Sequence, residues 1–129
     1  MEKLQSVSNI QTEHEYCRLY KVLLQKYGLE VAGLYGYLLD QRGLSIKTTR
    51  DESKREKFLD ELGFYCVVTY EELQTELCMT EYKIKKNKKI LRDLGLITEV
   101  RQLDKGNKIY VWDIPAGWDY QYGGNSTNV

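Results

Sequence analysis

The segment that decides the fold runs from Thr69 to Gly95 and reads TYEELQTELCMTEYKIKKNKKILRDLG. Thr69 can cap a helix over Tyr70–Leu77, because a glutamate three positions later completes a capping box. Thr80 can cap a second helix that continues to Leu94, and Gly95 is suited to the left-handed conformation that ends many helices. Two helices joined by three residues predict a helix-turn-helix.

The second helix of this pair has one apolar face and one strongly basic face. At about 100° per residue, the residues that share the inward face are Ile84, Asn87, Leu91 and Leu94. Lys88 lies at the edge of that face, where a long side chain can snorkel to solvent. The residues that project away from it are Tyr82, Lys85, Lys86, Lys89 and Arg92. The five lysines in positions 83–89 repel one another, which favours an anionic ligand.

The residues that follow the helix-turn-helix predict a β-hairpin. Two extended runs, LITEVRQL and KIYVWD, lie on either side of the sequence DKGN at 104–107. Gly106 and Asn107 tolerate positive φ, as tight hairpin loops require. A hairpin in this place is a wing, so the predicted fold class is α+β, mainly helical, a winged helix-turn-helix with a C-terminal β-hairpin wing. The cations that the wing adds are Arg101, Lys105 and Lys108.

The sequence suggests one domain with two flexible ends. The predicted divisions are a flexible N-terminal segment at 1–15, the winged-helix domain at 16–115, and a flexible tail at 116–129. Within the domain, Tyr16–Gln25 is compatible with either a short strand or a helix. A buried helix is expected near Leu29–Gln41, with Gly43 as its stop. Residues 48–63 are strongly charged and predict an exposed insertion, followed by a short strand over Phe64–Val68.

The charges are segregated along the chain although they sum to zero. Residues 1–80 hold 10 basic and 13 acidic side chains, whereas residues 81–108 hold 9 basic and 4 acidic ones. The second segment therefore has a net charge of +5. A local concentration of positive charge favours a polyanionic partner more than the overall balance opposes one.

Several classes of function receive no support from the sequence. It has no phosphate-binding loop, no GxSxG motif and only one histidine, His14, so we expect neither an enzyme nor a small-molecule substrate. Cys17, Cys66 and Cys78 are widely spaced, so we expect no metal and no cofactor. No apolar stretch is long enough to span a membrane and the N-terminus has no signal core, which predicts a cytoplasmic protein.

Three stretches resemble the N-terminal domain of plasmid replication initiator protein A: LYGYLLDQRGLSIK at 34–47, FYCVVTYEELQTEL at 64–77, and ILRDLGLITEVRQLDKGNKIYV at 90–111. The resemblance covers roughly residues 16–111. It implies binding to repeated origin sequences as a homodimer, with DNA contacts from the third helix and the wing. The initiators carry a second, C-terminal domain; a stand-alone relative from a phage or mobile element would more naturally regulate transcription.

We therefore expect sequence-specific binding of double-stranded DNA, as an initiator domain or a related transcriptional regulator. The expected DNA-binding residues are Tyr82, Lys83, Lys85, Lys86, Lys89, Arg92, Arg101, Lys105 and Lys108. The alternative is a protein-binding winged-helix factor of a phage or plasmid that acts on a host protein. The zero net charge is the best support for that alternative.

Overall fold

A computed structural model of the chain describes residues 19–103, 105–115 and Trp118. Within this part the fold is α+β. Its helices are α1 (Lys21–Tyr27), α2 (Leu29–Arg50), α3 (Tyr70–Leu77) and α4 (Glu81–Asp93). Its strands are β1 (Leu59–Asp60), β2 (Gly63–Phe64), β3 (Cys66–Val67), β4 (Ile97–Val100) and β5 (Lys108–Val111). The segment 1–15, and the tail 116–129 apart from Trp118, lie outside the described residues.

The strands form two antiparallel sheets. In the larger sheet β5 is central, with β3 on one side and β4 on the other. The β4–β5 pair is the hairpin expected after the helix-turn-helix, in a register that places Glu99 opposite Ile109. The smaller sheet is the hairpin of β1 and β2, which pairs Asp60 with Gly63.

The core lies between α2 and the sheet. Leu34, Tyr35 and Leu38 of α2 have no exposed surface, and neither does Ile109 of β5. The Tyr35 hydroxyl donates to the carbonyl of Trp112 at 2.6 Å, which joins the middle of α2 to the end of the sheet. Helix α4 packs against this same core, so its orientation is set by α2 and the larger sheet.

The prediction that the central helix ends at Gln41 was wrong, because α2 continues through Gly43 to Arg50. Arg42 donates to the carbonyl of Val111 at 2.8 Å and to Asp113 at 2.9 Å, so contacts with the sheet hold the helix together at the expected stop. A weak helix former such as glycine is tolerated where tertiary contacts decide the structure.

The expected insertion at 48–63 is exposed over residues 50–57, and it has regular structure at both ends. Residues 48–50 belong to the last turn of α2, and the β1–β2 hairpin begins at Leu59. Asp60 in this hairpin accepts the Tyr110 hydroxyl at 2.5 Å and the Lys108 ammonium at 2.9 Å. The insertion is thus attached to β5.

Two further sequence expectations are refined by the structure. Of the ambiguous segment Tyr16–Gln25, residues 16–18 lie outside the described residues, and the chain is helical from Lys21 onward. The expected strand over 64–68 is divided between β2 and β3 at Tyr65. No helix in the described part of the chain is long and apolar enough to cross a membrane.

Candidate nucleic-acid interface

The two capped helices form as the sequence predicts. The Thr69 hydroxyl accepts the Glu72 N–H at 3.1 Å, and the Thr80 hydroxyl accepts the Lys83 N–H at 3.2 Å. Gly95 has φ of +76° and ends α4, which confirms its expected role. The capping box is only half formed, because the Glu72 carboxylate accepts the Tyr37 hydroxyl at 2.5 Å and does not return to the cap.

The inward face of α4 is buried as the periodicity predicted. Ile84 and Leu91 have no exposed surface and Asn87 has 4%. The expectation that Lys88 snorkels to solvent was wrong, since only 3% of the residue is exposed. Its ammonium lies 2.9 Å from Glu99 and 4.7 Å from the centre of the Tyr70 ring. The reason is that β4 places a carboxylate inside the protein, within reach of this lysine.

The outward face of α4 is centred on Tyr82, Lys86 and Lys89. Tyr82 is 74% exposed, in contrast to the tyrosines that are buried in the core. Lys86 is exposed and has no ion pair among the described residues. Lys89 pairs with Asp93 one helical turn later at 2.9 Å, with both side chains more than half exposed.

The remaining cations of α4 lie at the borders of this face. Lys85 pairs with Glu81 at 2.9 Å, and the hydrogen bond from this pairing raises the pKa of Lys85. Lys83 pairs with Glu30 of α2 at 3.0 Å, and this contact lowers the pKa of Glu30. The guanidinium of Arg92 lies 3.2 Å from the Glu99 carboxylate.

The β4–β5 hairpin, predicted as the wing, supplies two exposed cations rather than three. Arg101 and Lys105 are exposed in the loop between β4 and β5. Lys108 is the first residue of β5, where its ammonium is 2.9 Å from Asp60 and 4.6 Å from the centre of the Tyr65 ring. The hydrogen bond to Asp60 raises the pKa of Lys108.

Gly106 in the loop between β4 and β5 has a different role from the one predicted. Its φ is not in the left-handed region, so positive φ is not the reason for a glycine at this position. A Cβ atom there would lie 2.8 Å from Cγ1 of Val67, which is closer than real Cβ contacts. The glycine allows the loop to approach β3. The first residue of the predicted turn, Asp104, lies outside the described residues.

The described residues include no group of three or more histidine, cysteine, aspartate and glutamate side chains that could hold a metal ion. Burial raises the pKa of the Cys66 thiol to about 12, so this group stays protonated at neutral pH. The exposed groups at the centre of the outward face of α4 are two lysines and Tyr82, which suit binding to an anion.

The acidic partners were the functional residues that sequence reasoning missed. Glu30 is 53 positions from Lys83, and Glu99 lies on a strand that follows α4. Helical periodicity describes which side of α4 each residue occupies, but it contains no information on what another element places beside that residue. Only the i,i+4 spacing of Glu81 with Lys85, and of Lys89 with Asp93, was a usable local signal.

The chain is similar to solved structures of DNA-binding proteins. One, described as "Structure of Rep-DNA complex", is 25% identical with a TM-score of 0.64, and the match covers 93% of this chain and 92% of that chain. A second, described as "N-Terminal domain of DNA binding protein", is 24% identical with a TM-score of 0.64, over 94% and 93% of the two chains. No family model matches the chain, and no curated protein matches it.

Proposed function

We propose that this chain is a winged helix-turn-helix domain that binds double-stranded DNA in a sequence-specific manner. The observation that carries the proposal is the outward face of α4, on which Tyr82, Lys86 and Lys89 are exposed while the opposite face is buried. A helix fits the major groove of B-DNA, where lysine side chains reach guanine acceptors and phosphates. Similarity to a Rep protein solved with DNA supports the same partner.

The ion pairs on α4 are compatible with this proposal. Exposed pairs such as Lys85 with Glu81 and Lys89 with Asp93 contribute little to stability, so a phosphate can replace the carboxylate. Helix α4 holds six cations, including the buried Lys88, and two acidic residues. DNA contact by the exposed cations would release counterions and make the affinity strongly dependent on salt.

The positions of the candidate residues suggest separate roles. Tyr82 and Lys86 lie at the centre of the outward face and are the candidates for contact with base edges. The candidates for phosphate contact are Lys83, Lys85, Lys89, Arg92, Arg101, Lys105 and Lys108. Because Lys108 is held by Asp60, its contribution should be the smallest of this set.

The biological setting that best fits this proposal is plasmid replication or its regulation. As a domain of a replication initiator, or as a related transcriptional regulator, the chain would bind repeated or palindromic sites as a homodimer. Two domains on two adjacent sites would raise the effective affinity of an otherwise modest contact.

The proposal is tested by selecting binding sites from a random duplex library with the whole chain, followed by fluorescence anisotropy at several salt concentrations. Lys86→Ala/Lys89→Ala should weaken binding by about tenfold or more and reduce the magnitude of the salt slope by about one, for the phosphate contact assigned to Lys89. The matched control is Lys21→Ala/Lys54→Ala, which removes two exposed lysines from other parts of the fold.

The control pair should change binding much less than the α4 pair. Equal losses in the two double variants would contradict the assignment of α4, and a failure to enrich any sequence would contradict sequence-specific binding. Circular dichroism of each variant verifies that the fold is intact.

A protein-binding factor is the second candidate, supported by the surface of the β1–β2 hairpin. Leu59 and Leu62 are 51% and 57% exposed in this hairpin, close to the charged residues that precede it. Capture of one stoichiometric host protein, unaffected by nuclease and abolished by Leu59→Ser/Leu62→Ser, would favour this function over DNA binding.

A further inference from the structure

One carboxylate joins the helix, the sheet and the wing loop. Glu99 of β4 accepts the Lys88 ammonium at 2.9 Å and the Asn107 amide at 2.9 Å on one oxygen, and the Arg92 guanidinium at 3.2 Å on the other. Lys88 and Arg92 lie one turn apart on α4, whereas Asn107 lies between the exposed wing loop and β5. These contacts therefore bridge the two parts of the proposed DNA interface.

The strand register explains why Glu99 can reach all three donors. Glu99 lies directly opposite Ile109, and residues opposite each other on antiparallel strands share one face of the sheet. Ile109 has no exposed surface and faces the core, so Glu99 points toward α4 rather than toward solvent. Only 12% of the Glu99 side chain is exposed.

We propose that Glu99 is a positioning residue that fixes the wing loop relative to α4, so that the helix and the wing contact DNA together. This inference rests on the proposed function. Arg92 keeps 42% of its side chain exposed while it is held by Glu99, so it is oriented without being withdrawn from the surface. Lys88 has only 4% of its side chain exposed and acts through Glu99 rather than by touching DNA.

A purely stabilising role explains this arrangement less well. Replacement of a buried ion pair by apolar side chains of similar size is often neutral or stabilising. The pair supplies directional bonds, which fix an angle between two elements in a way that apolar contacts do not. Among the described residues of the loop, one further side-chain hydrogen bond runs from Gln102 to the carbonyl of Gly106 at 2.7 Å, and it lies within the loop itself.

The test uses the double variant Lys88→Met/Glu99→Leu, which removes both charges and leaves no unpaired partner of the pair. Amide hydrogen exchange without DNA should become at least about threefold faster in residues 101–107, while thermal stability is retained. Unchanged exchange in the loop would overturn the inference, whether or not the chain binds DNA.

A double-mutant cycle then connects the positioning to DNA binding. Arg101→Ala/Lys105→Ala should weaken binding by about tenfold in the wild-type background, but by no more than about threefold in the Lys88→Met/Glu99→Leu background. The more conservative Lys88→Met/Glu99→Gln keeps an acceptor for Asn107 and should restore most of the effect of the wing.

The outcomes separate the inference from the proposed function. Equal wing effects in the two backgrounds would refute coupling through Glu99 while leaving DNA binding intact. If the wild-type chain binds no duplex, the proposed function and the DNA part of the inference both fail, and the exchange measurement alone decides whether Glu99 holds the wing.

Discussion

Removal of Glu99 should destabilise the protein more than removal of Lys88, although the two side chains form one ion pair. Glu99→Leu leaves an ammonium 4% exposed, with no second acidic side chain paired to it in the described part of the chain. An uncompensated buried charge of this kind costs about 3–5 kcal/mol. Lys88→Met leaves Glu99 with Arg92 and Asn107, so the loss is closer to one charge-assisted hydrogen bond, about 1.5–3 kcal/mol.

Urea unfolding followed by circular dichroism measures this asymmetry. With a slope of about 2 kcal/mol per M, Glu99→Leu should lower the midpoint by about 1.5–2.5 M and Lys88→Met by about 0.75–1.5 M. The double variant Lys88→Met/Glu99→Leu should return to within about 1 kcal/mol of the wild type or exceed it. Equal losses in the single variants, or a double variant no better than Glu99→Leu, would refute this account of the buried pair.

Three further predictions follow from the contacts of single residues. Glu30→Gln removes the ion-pair partner of Lys83 and should tighten DNA binding about two- to fivefold, with a steeper salt dependence. Weaker binding in anisotropy titrations would contradict this. Hydrogen bonds from Tyr110 and Lys108 lower the pKa of Asp60 from 3.8 to about 2. The stability that this carboxylate provides is therefore complete above pH 4 and is lost as the pH falls toward 2. Urea midpoints should therefore decline less steeply over this range in Asp60→Asn than in the wild type, and parallel curves would exclude the contribution. Gly95→Ala should lose about 1 kcal/mol because φ is +76° there. The control is Gly43→Ala in α2, where no atom lies near the added methyl group, and this change should leave the free energy of unfolding unchanged or raise it. Equal changes in the two unfolding midpoints would refute the conformational argument.

The parts of the fold that were predictable are those specified by neighbouring residues. Thr69, Thr80 and Gly95 act on backbone groups within about one helical turn, so their spacing was sufficient to place α3 and α4. The end of α2 was not predictable in this way, because Arg42 is held by Val111 and Asp113 about 70 positions away.

The same distinction applies to the candidate site, where local periodicity placed some residues correctly and a long-range contact decided another. Periodicity placed Tyr82 and Lys86 outside and Ile84 inside, because a helix with one buried face must repeat its apolar residues. It misplaced Lys88, whose position depends on a glutamate from a strand that packs on the helix. A lysine at the edge of an apolar face is compatible with both snorkelling and burial until its partner is known.

The ion pairs of α4 also determine how tightly a single domain is expected to bind DNA. A polyanion can displace the exposed Glu81 and Asp93 from their lysines, but it cannot readily displace Glu99, which is largely buried and accepts three donors. Only part of the positive charge on α4 is therefore available to DNA. A single domain should then bind modestly at physiological salt, and tight binding should require two domains held on adjacent sites. The proposed homodimer on a repeated target would double the number of contacts that one domain can make.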